Sequence, residues 1–422
     1  MRLDEYVDIE QNKRAERRRL AKNRSYDIVE YLDDFQDRFE STVQGDSLYG
    51  GVSPSIFVGT SNYPHVSTGV LSPVGHNDDV SQFITSDTWY DEDISISDVF
   101  ERRASLLNST TTRPVTNVAE TWDGDGFLGT QREIAIADHP VTVEIGLINR
   151  PNIDFDVNPA DVSTPVGPRA RAESAALNEN PHVPRAVEKT ISDDDWNAEG
   201  AITYLYRRDF DIYDINTILS AGALGQTDQR RLVPTRWSIT AVDDVIGRYL
   251  RGRIRTNQDI NSVEIHRESF LGNAFWVILA PGEWEYELVE MKAPGSIWNP
   301  KPEAGTAITT DWEGREGRTK YVSETAGAYH AARLGVLEHL AQRGRRAKAL
   351  ILRHISADYW APVGVWQVRE TVRDTFDDTP AISETMHEAI DGVCEHLPIS
   401  SARLHRASTI AAGRQATFDT FT

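Results

Sequence analysis

Cys394 is the only cysteine in 422 residues. No intrachain disulfide and no cysteine-rich zinc site can hold such a chain together, so its fold has to rest on apolar burial. Hydrophobic residues make up 39% of the sequence, which is ample for a core, and the length suits one large or two ordinary domains. A lone cysteine also points to a reducing interior. The first residues are charged, and no stretch approaches the roughly 18 apolar residues of a membrane span. The expectation is a soluble, cytoplasmic protein with no membrane partner.

Charge narrows the setting. The formal net charge is −21, and lysine occurs only at Lys13, Lys22, Lys189, Lys292, Lys301, Lys320 and Lys348. An excess of carboxylates repels itself at low ionic strength, and salt relieves that repulsion over a Debye length of about 3 Å at 1 M. An acidic, lysine-poor chain therefore suits a salty, halophilic cytoplasm. Asp193-Asp194-Asp195 and Asp377-Asp378 read as solvated surface rather than as metal sites.

The amino-terminal 45 residues form a separate segment in this reading. Lys13, Arg14, Arg17, Arg18, Arg19, Lys22 and Arg24 make it basic, and Ile28, Leu32, Phe35 and Phe39 recur at helical spacing. Arg14, Arg17, Arg18 and Lys22 are candidate contacts for DNA phosphates, which require only a row of positive charge. Between residues 50 and 75, glycine, proline and serine interrupt short apolar runs, predicting strands and tight turns. Residues 151–200 show little periodicity and read as long surface loops. Trp276 to Leu279, then Pro281-Gly282, then Trp284 to Leu288 in clean alternation predict an antiparallel hairpin. The spacing predicts a helix over 326–343 and a strand at 349–352. Helices mixed with hairpins predict an α/β or α+β body over 46–400, followed by a free tail over 401–422.

Three spans concentrate polar chemistry. Arg231 to Asp244 holds two arginines, an indole, hydroxyls and an acidic pair. Arginine forks and an aromatic face suit a ligand that carries phosphate and base. Adjacent carboxylates can hold a divalent ion, but Asp243 and Asp244 do not point the same way on a regular element. In the second span, from Glu313 to Tyr329, Ser323 is placed to cap the following helix and Glu324 to favour its positive end. The third, Tyr359 to Glu370, offers two indoles beside Arg369 and reads as buried aromatic core rather than a base-stacking platform. Arg236, Asp243, Asp244, Glu313, Arg315 and Glu324 are the candidate catalytic or polyanion-binding residues, provided the fold brings them together. No phosphate loop, dinucleotide fingerprint, zincin pair or nucleophile elbow occurs, and the histidines are scattered, so no metal and no cofactor is assigned.

The last eight residues carry the pattern Gln415-x-x-Phe418-x-x-Phe421. It resembles the PIP box, the peptide by which proteins dock on PCNA, the DNA sliding clamp. One turn of 3₁₀ helix brings residues three apart to the same side, so Phe418 and Phe421 would share an apolar pocket while Gln415 binds backbone groups beside it. An aliphatic residue is commoner at the position of Phe418, and the usual first aromatic is replaced by Thr420. Ser53 to Gly59 with Tyr63-Pro64-His65-Val66, the span from Leu232 to Asp244, the span from Tyr321 to Tyr329 and the span from Trp360 to Glu370 together resemble the archaeal Nre proteins, in the NreA branch. That resemblance implies DNA repair, a nucleoid-associated place in the cytoplasm, and DNA or other repair proteins as partners besides the clamp. Some relatives carry an amino-terminal cysteine cluster that this chain lacks, so no zinc is expected there. Two readings follow, a clamp-recruited repair protein acting as adaptor or enzyme, and a nucleotide-binding or nucleotide-metabolising enzyme whose tail is incidental. Convergence of Arg236, Asp243 and Glu324 in one concave site favours chemistry, and their dispersal favours the adaptor.

Overall fold

The structure is a computed structural model that describes residues 43–44, 47–52, 55–74, 80–116, 126–148 and 167–413. Arg14, Arg17, Arg18, Lys22, Gln415, Phe418 and Phe421 lie outside these residues. The described chain divides into two compact units, one within 43–246 and one over 247–413. Both mix helices with sheets, as the α/β or α+β expectation holds.

The first unit is built on strands β1 (Val43–Gln44), β2 (Ser47–Val52), β3 (Ile56–Val58), β4 (His65–Pro73), β5 (Leu106–Pro114), β6 (Val141–Leu147) and β7 (Arg169–Leu177). They form one sheet in the order β1-β2-β6-β7-β5-β4-β3. Only the β5–β7 pair is parallel. β6 alternates buried and open residues along Val141, Val143, Ile145 and Leu147, the period-two signature of a half-buried strand. Helices α1 (Thr88–Asp91) and α2 (Ile96–Ala104) lie between β4 and β5 in sequence, and α3 (Gly126–Ile136) between β5 and β6. Ser95 and Asp98 close a reciprocal capping box at the start of α2. From α3, Phe127, Leu128, Ile134 and Ala135 join Val58, Val66, Val70, Leu107, Val143 and Ile145 in one apolar core. Gln131 exchanges hydrogen bonds of 2.7 and 2.9 Å with the Thr68 hydroxyl inside it.

Residues 151–200 are not a run of surface loops. β7 lies within them, as do α4 (Arg185–Ser192) and the start of α5 (Ala198–Tyr206). β7 reads Arg-Ala-Arg-Ala-Glu-Ser-Ala-Ala-Leu, and alanine, small and weak in strand propensity, hides its alternation. α6 (Ile212–Ser220) follows, and α7 (Thr235–Ile254) starts in this unit and continues past residue 247.

The second unit contains β8 (Gln258–Asp259), β9 (Val263–Phe270), β10 (Asn273–Ala280), β11 (Glu285–Lys292), β12 (Ala307–Glu313), α8 (Ala326–Arg343), β13 (Arg345–Arg346), β14 (Lys348–Ile355), α9 (Trp366–Asp374), β15 (Ala381–Ser383), α10 (Met386–Cys394) and α11 (Ser401–Ala407). The main sheet runs β12-β11-β14-β10-β9-β15. The expected hairpin of 276–288 is therefore not a bonded pair. β10 and β11 do run in opposite directions, but β14 lies between them, antiparallel to β10 and parallel to β11. Trp276, Ile278, Val289, Met291, Leu350 and Leu352 line one face with Ala389, Ile390 and Val393 of α10 and Leu404 of α11, so the tail expected to run free from 401 is packed as far as Ala411. The alternate positions Tyr286 and Glu313 meet Tyr329 and Arg333 of α8 instead. The helix predicted over 326–343 has those bounds, and it stops at Gly344, whose φ of 63° is the left-handed conformation that ends helices. Tyr359 and Trp366 are buried, as expected of core aromatics, whereas the other indole of that span, Trp360, is only half-buried. Among the described residues no helix is long and apolar enough to cross a membrane.

Candidate nucleic-acid contact site

The span from Leu232 to Asp244 becomes the entry to α7. Ser220 and Val233 are cross-tied, Val233 N donating to Ser220 O at 3.1 Å and Ser220 Oγ to Val233 O at 2.8 Å. Thr235 Oγ1 accepts from Val58 N at 3.0 Å, which pins the start of the helix to β3. Pro234, whose fixed φ suits a helix entry, receives the amides of Trp237 and Ser238 on its carbonyl at 2.7 and 3.0 Å. This construction holds the first turn of α7 rigidly and turns two of its residues outward.

Those residues are Arg236 and Trp237. Trp237 is 47% exposed and Tyr63, in the turn before β4, is 50% exposed. Their rings lie 5.2 Å apart at 52°. Two exposed aromatics in contact form a small apolar patch of the kind that suits a binding face. Arg236 is exposed beside them, and its guanidinium has no ion-pair partner among the described residues. The first turn of α7 holds no acidic residue, so nothing there offsets the positive end of the helix dipole. Two exposed rings, a guanidinium with no ion-pair partner among the described residues and a helix start have the chemistry to stack a base and hold a phosphate.

Asp243 and Asp244 do not share that surface. Asp243 is fully buried while Asp244 is half-buried, and two helical turns place Asp243 about 10 Å along the axis from Arg236. Arg230 is also structural, its guanidinium donating to Gly225 O at 2.8 Å and Ile191 O at 2.7 Å.

Glu313, Arg315 and Glu324 belong to the second unit, and they part company. Glu313 ends β12 with a fully buried side chain, accepting from Trp284 Nε1 and Arg333 Nη1, each at 2.9 Å, with Arg251 at 3.8 Å. Burial, and then the Glu313 charge, push the neighbouring Tyr329 phenol far above its ordinary value. Gly317, at φ 78°, leaves the space that the Arg251 guanidinium fills. Arg315 is half exposed and pairs with Glu283 at 2.8 Å. Glu324 is exposed. The expected cap by Ser323 is not formed. Asp311 satisfies this helix entry instead, accepting from the amides of Glu324 and Thr325 at 3.1 and 2.8 Å and from the Thr325 hydroxyl at 2.9 Å. Asp311 also pairs with Arg318 at 3.3 Å. None of these partners was legible locally, because a charged residue on a strand reads as solvent-facing unless its distant counter-ion is known.

Three groups of histidines and carboxylates converge among the described residues: Asp138, His139 and His182; Glu264, His266 and His339; and His387, Asp391 and His405. In the second, Arg343 already supplies the cation. It donates to both Glu264 oxygens at 2.6 and 3.0 Å, and its Nη1 lies 3.2 Å from His339 Nε2.

Residues 20–299 match the family model described as archaeal Nre, N-terminal, and residues 313–421 match archaeal Nre, C-terminal. The chain belongs to the archaeal Nre family. It is 68% identical to the DNA repair protein NreA of Haloferax volcanii over 98% of each chain. It is 38% identical to the DNA repair protein NreA of Archaeoglobus fulgidus over 84% of this chain and 86% of that one. The DNA repair protein NreB of the same organism is 32% identical over 90% of this chain and 93% of its own. No solved structure matches.

Proposed function

We propose that this chain is a DNA-repair protein that docks on the PCNA sliding clamp through Gln415, Phe418 and Phe421 and meets DNA through Tyr63, Arg236 and Trp237. The observation that carries the DNA contact is the exposed Tyr63–Trp237 pair, 5.2 Å between ring centroids, beside a guanidinium with no ion-pair partner among the described residues. The names of the relatives support the repair role. Arg14, Arg17, Arg18 and Lys22 add positive charge that suits phosphate contacts. An adaptor is favoured over an enzyme built on the α7 residues, because Arg236 is exposed and Asp243 is sealed in the interior. Its place would be the cytoplasm, at the nucleoid.

Clamp docking is tested by calorimetry of the whole protein against the clamp. Loss of a hot-spot side chain costs about 2 kcal/mol or more, so Phe418→Ala combined with Phe421→Ala should abolish binding without changing the melting temperature. Equal affinities for the two proteins would remove the tail from the docking role.

A further inference from the structure

His387 and Asp391 stand four residues apart on one face of α10, His387 Nε2 lying 3.4 Å from Asp391 Oδ2. His405 reaches them from α11, its ring centroid 5.4 Å from that of His387. One ligand atom from each of the three lies within 4.8 Å of the other two.

The orientation of His405 is the informative part. Its Nδ1 lies 2.5 Å from the carbonyl oxygen of Ala411. A carbonyl only accepts, so Nδ1 carries the proton and Nε2 presents a lone pair. That Nε2 is buried and has no hydrogen-bond partner among the described residues. An ordinary surface ion pair accounts for His387 and Asp391 but leaves the Nε2 of His405 unexplained. An imidazole that donates one N–H to a backbone carbonyl and keeps a buried second nitrogen next to another imidazole and a carboxylate is arranged as metal-binding histidines are.

We propose that His387, Asp391 and His405 bind a divalent first-row transition metal, with zinc the ion that two imidazoles and one carboxylate suit best. Because the His387 side chain is 70% exposed, the remaining coordination positions open to solvent. The ion fastens α10 to α11 and, through the Nδ1 of His405, to the turn that carries Ala411. The other two convergent groups fit less well. Arg343 fills one, and in the other both His139 and His182 direct Nδ1 at the Asp138 carboxylate, so neither nitrogen is left without a partner.

The test titrates zinc chloride into the metal-free, full-length protein by calorimetry, in a His182→Ala background that disables the Asp138 group. One equivalent should bind and raise the melting temperature. His387→Ala and Asp391→Asn, made separately, should each weaken binding by more than about tenfold, the lower end of what losing even an orienting partner costs. Both side chains are largely exposed, at 70% and 49%, so the metal-free melting temperatures should not change. Magnesium chloride should neither bind nor compete. Absence of zinc uptake, uptake that both substitutions leave intact, or equal competition by magnesium overturns the site.

Discussion

The buried carboxylate of Glu287 accepts a hydrogen bond from Ser408 Oγ at 2.7 Å, across 121 residues of chain. The same side chain takes the amides of Thr409 at 2.9 Å and Ile410 at 2.8 Å, and Thr310 Oγ1 donates to it at 2.7 Å from β12. A strand residue on β11 thus fixes the turn from which the chain runs on to Gln415. Hydrogen bonds to a charged acceptor contribute about 1.5–3 kcal/mol each, and a stranded buried donor has its own penalty. Glu287→Ala should therefore cost on the order of 3 kcal/mol or more in urea unfolding, and limited proteolysis should cut after residue 407 faster than in the parent. Unchanged cleavage would mean that Glu287 does not hold this turn.

Trp237 and Tyr63 give the DNA reading a quantitative form. Base stacking on an aromatic is worth about 1–3 kcal/mol by alanine substitution, so Trp237→Ala should weaken binding of a single-stranded oligonucleotide by about 5- to 150-fold. Arg236→Ala should weaken it independently of base sequence and lower the salt slope by about one charge. Both residues are exposed, so stability should stay within about 0.5 kcal/mol of the parent. Fluorescence anisotropy at several salt concentrations measures these quantities. Affinities and slopes equal to the parent's would detach this surface from DNA.

What could be read in advance follows the range of the interactions involved. Helix 326–343 and strand 349–352 are stated by their own periodicity, and Tyr359 and Trp366 by their apolar surroundings. The reversal between Trp276 and Trp284 was local, but the strand inserted there, β14, comes from far along the chain, and no spacing within 276–288 announces it. The contact of Trp237 with Tyr63 likewise depends on Val58 N reaching Thr235 over 177 residues. Glu287, Glu313 and Arg333 look like surface charges until the sheet buries them against one another's partners. His405 gave no sign, because the imidazole and carboxylate beside it come from α10 and the carbonyl it meets from the turn beyond α11.

The acid excess leads to a prediction about salt. If a net charge of −21 is matched to a salty interior, thermal stability should climb steeply between low salt and about 2 M KCl, as self-repulsion is screened. Differential scanning calorimetry across that range is the measurement. A flat melting temperature would dissociate the charge from salt adaptation.

His339 supplies a pH-dependent term whose sign can be worked out. It stacks on Phe376 at 3.9 Å, stands edge-on to His266 at 5.7 Å, and has Arg343 Nη1 at 3.2 Å from its Nε2, with the Glu264 carboxylate beyond. Burial first, then His266 and Arg343, push its pKa down from 6.5 to about 4. Below about pH 6.5 the unfolded chain takes a proton at this ring, while the folded protein does not until about pH 4. The contribution to stability is therefore complete above pH 6.5 and is lost as pH falls from 6.5 toward 4, at about 1.4 kcal/mol per unit of pH once protonation of the unfolded state is established. His339→Gln removes the titration while leaving an oxygen able to accept from Arg343. Urea unfolding at pH 7 and pH 4.5 should show a loss on acidification that is smaller in His339→Gln than in the parent by on the order of 2 kcal/mol. His266, also pushed down by burial, should retain its own share in the variant. An equal loss in both proteins would mean that His339 titrates normally and that the Arg343 contact is not made.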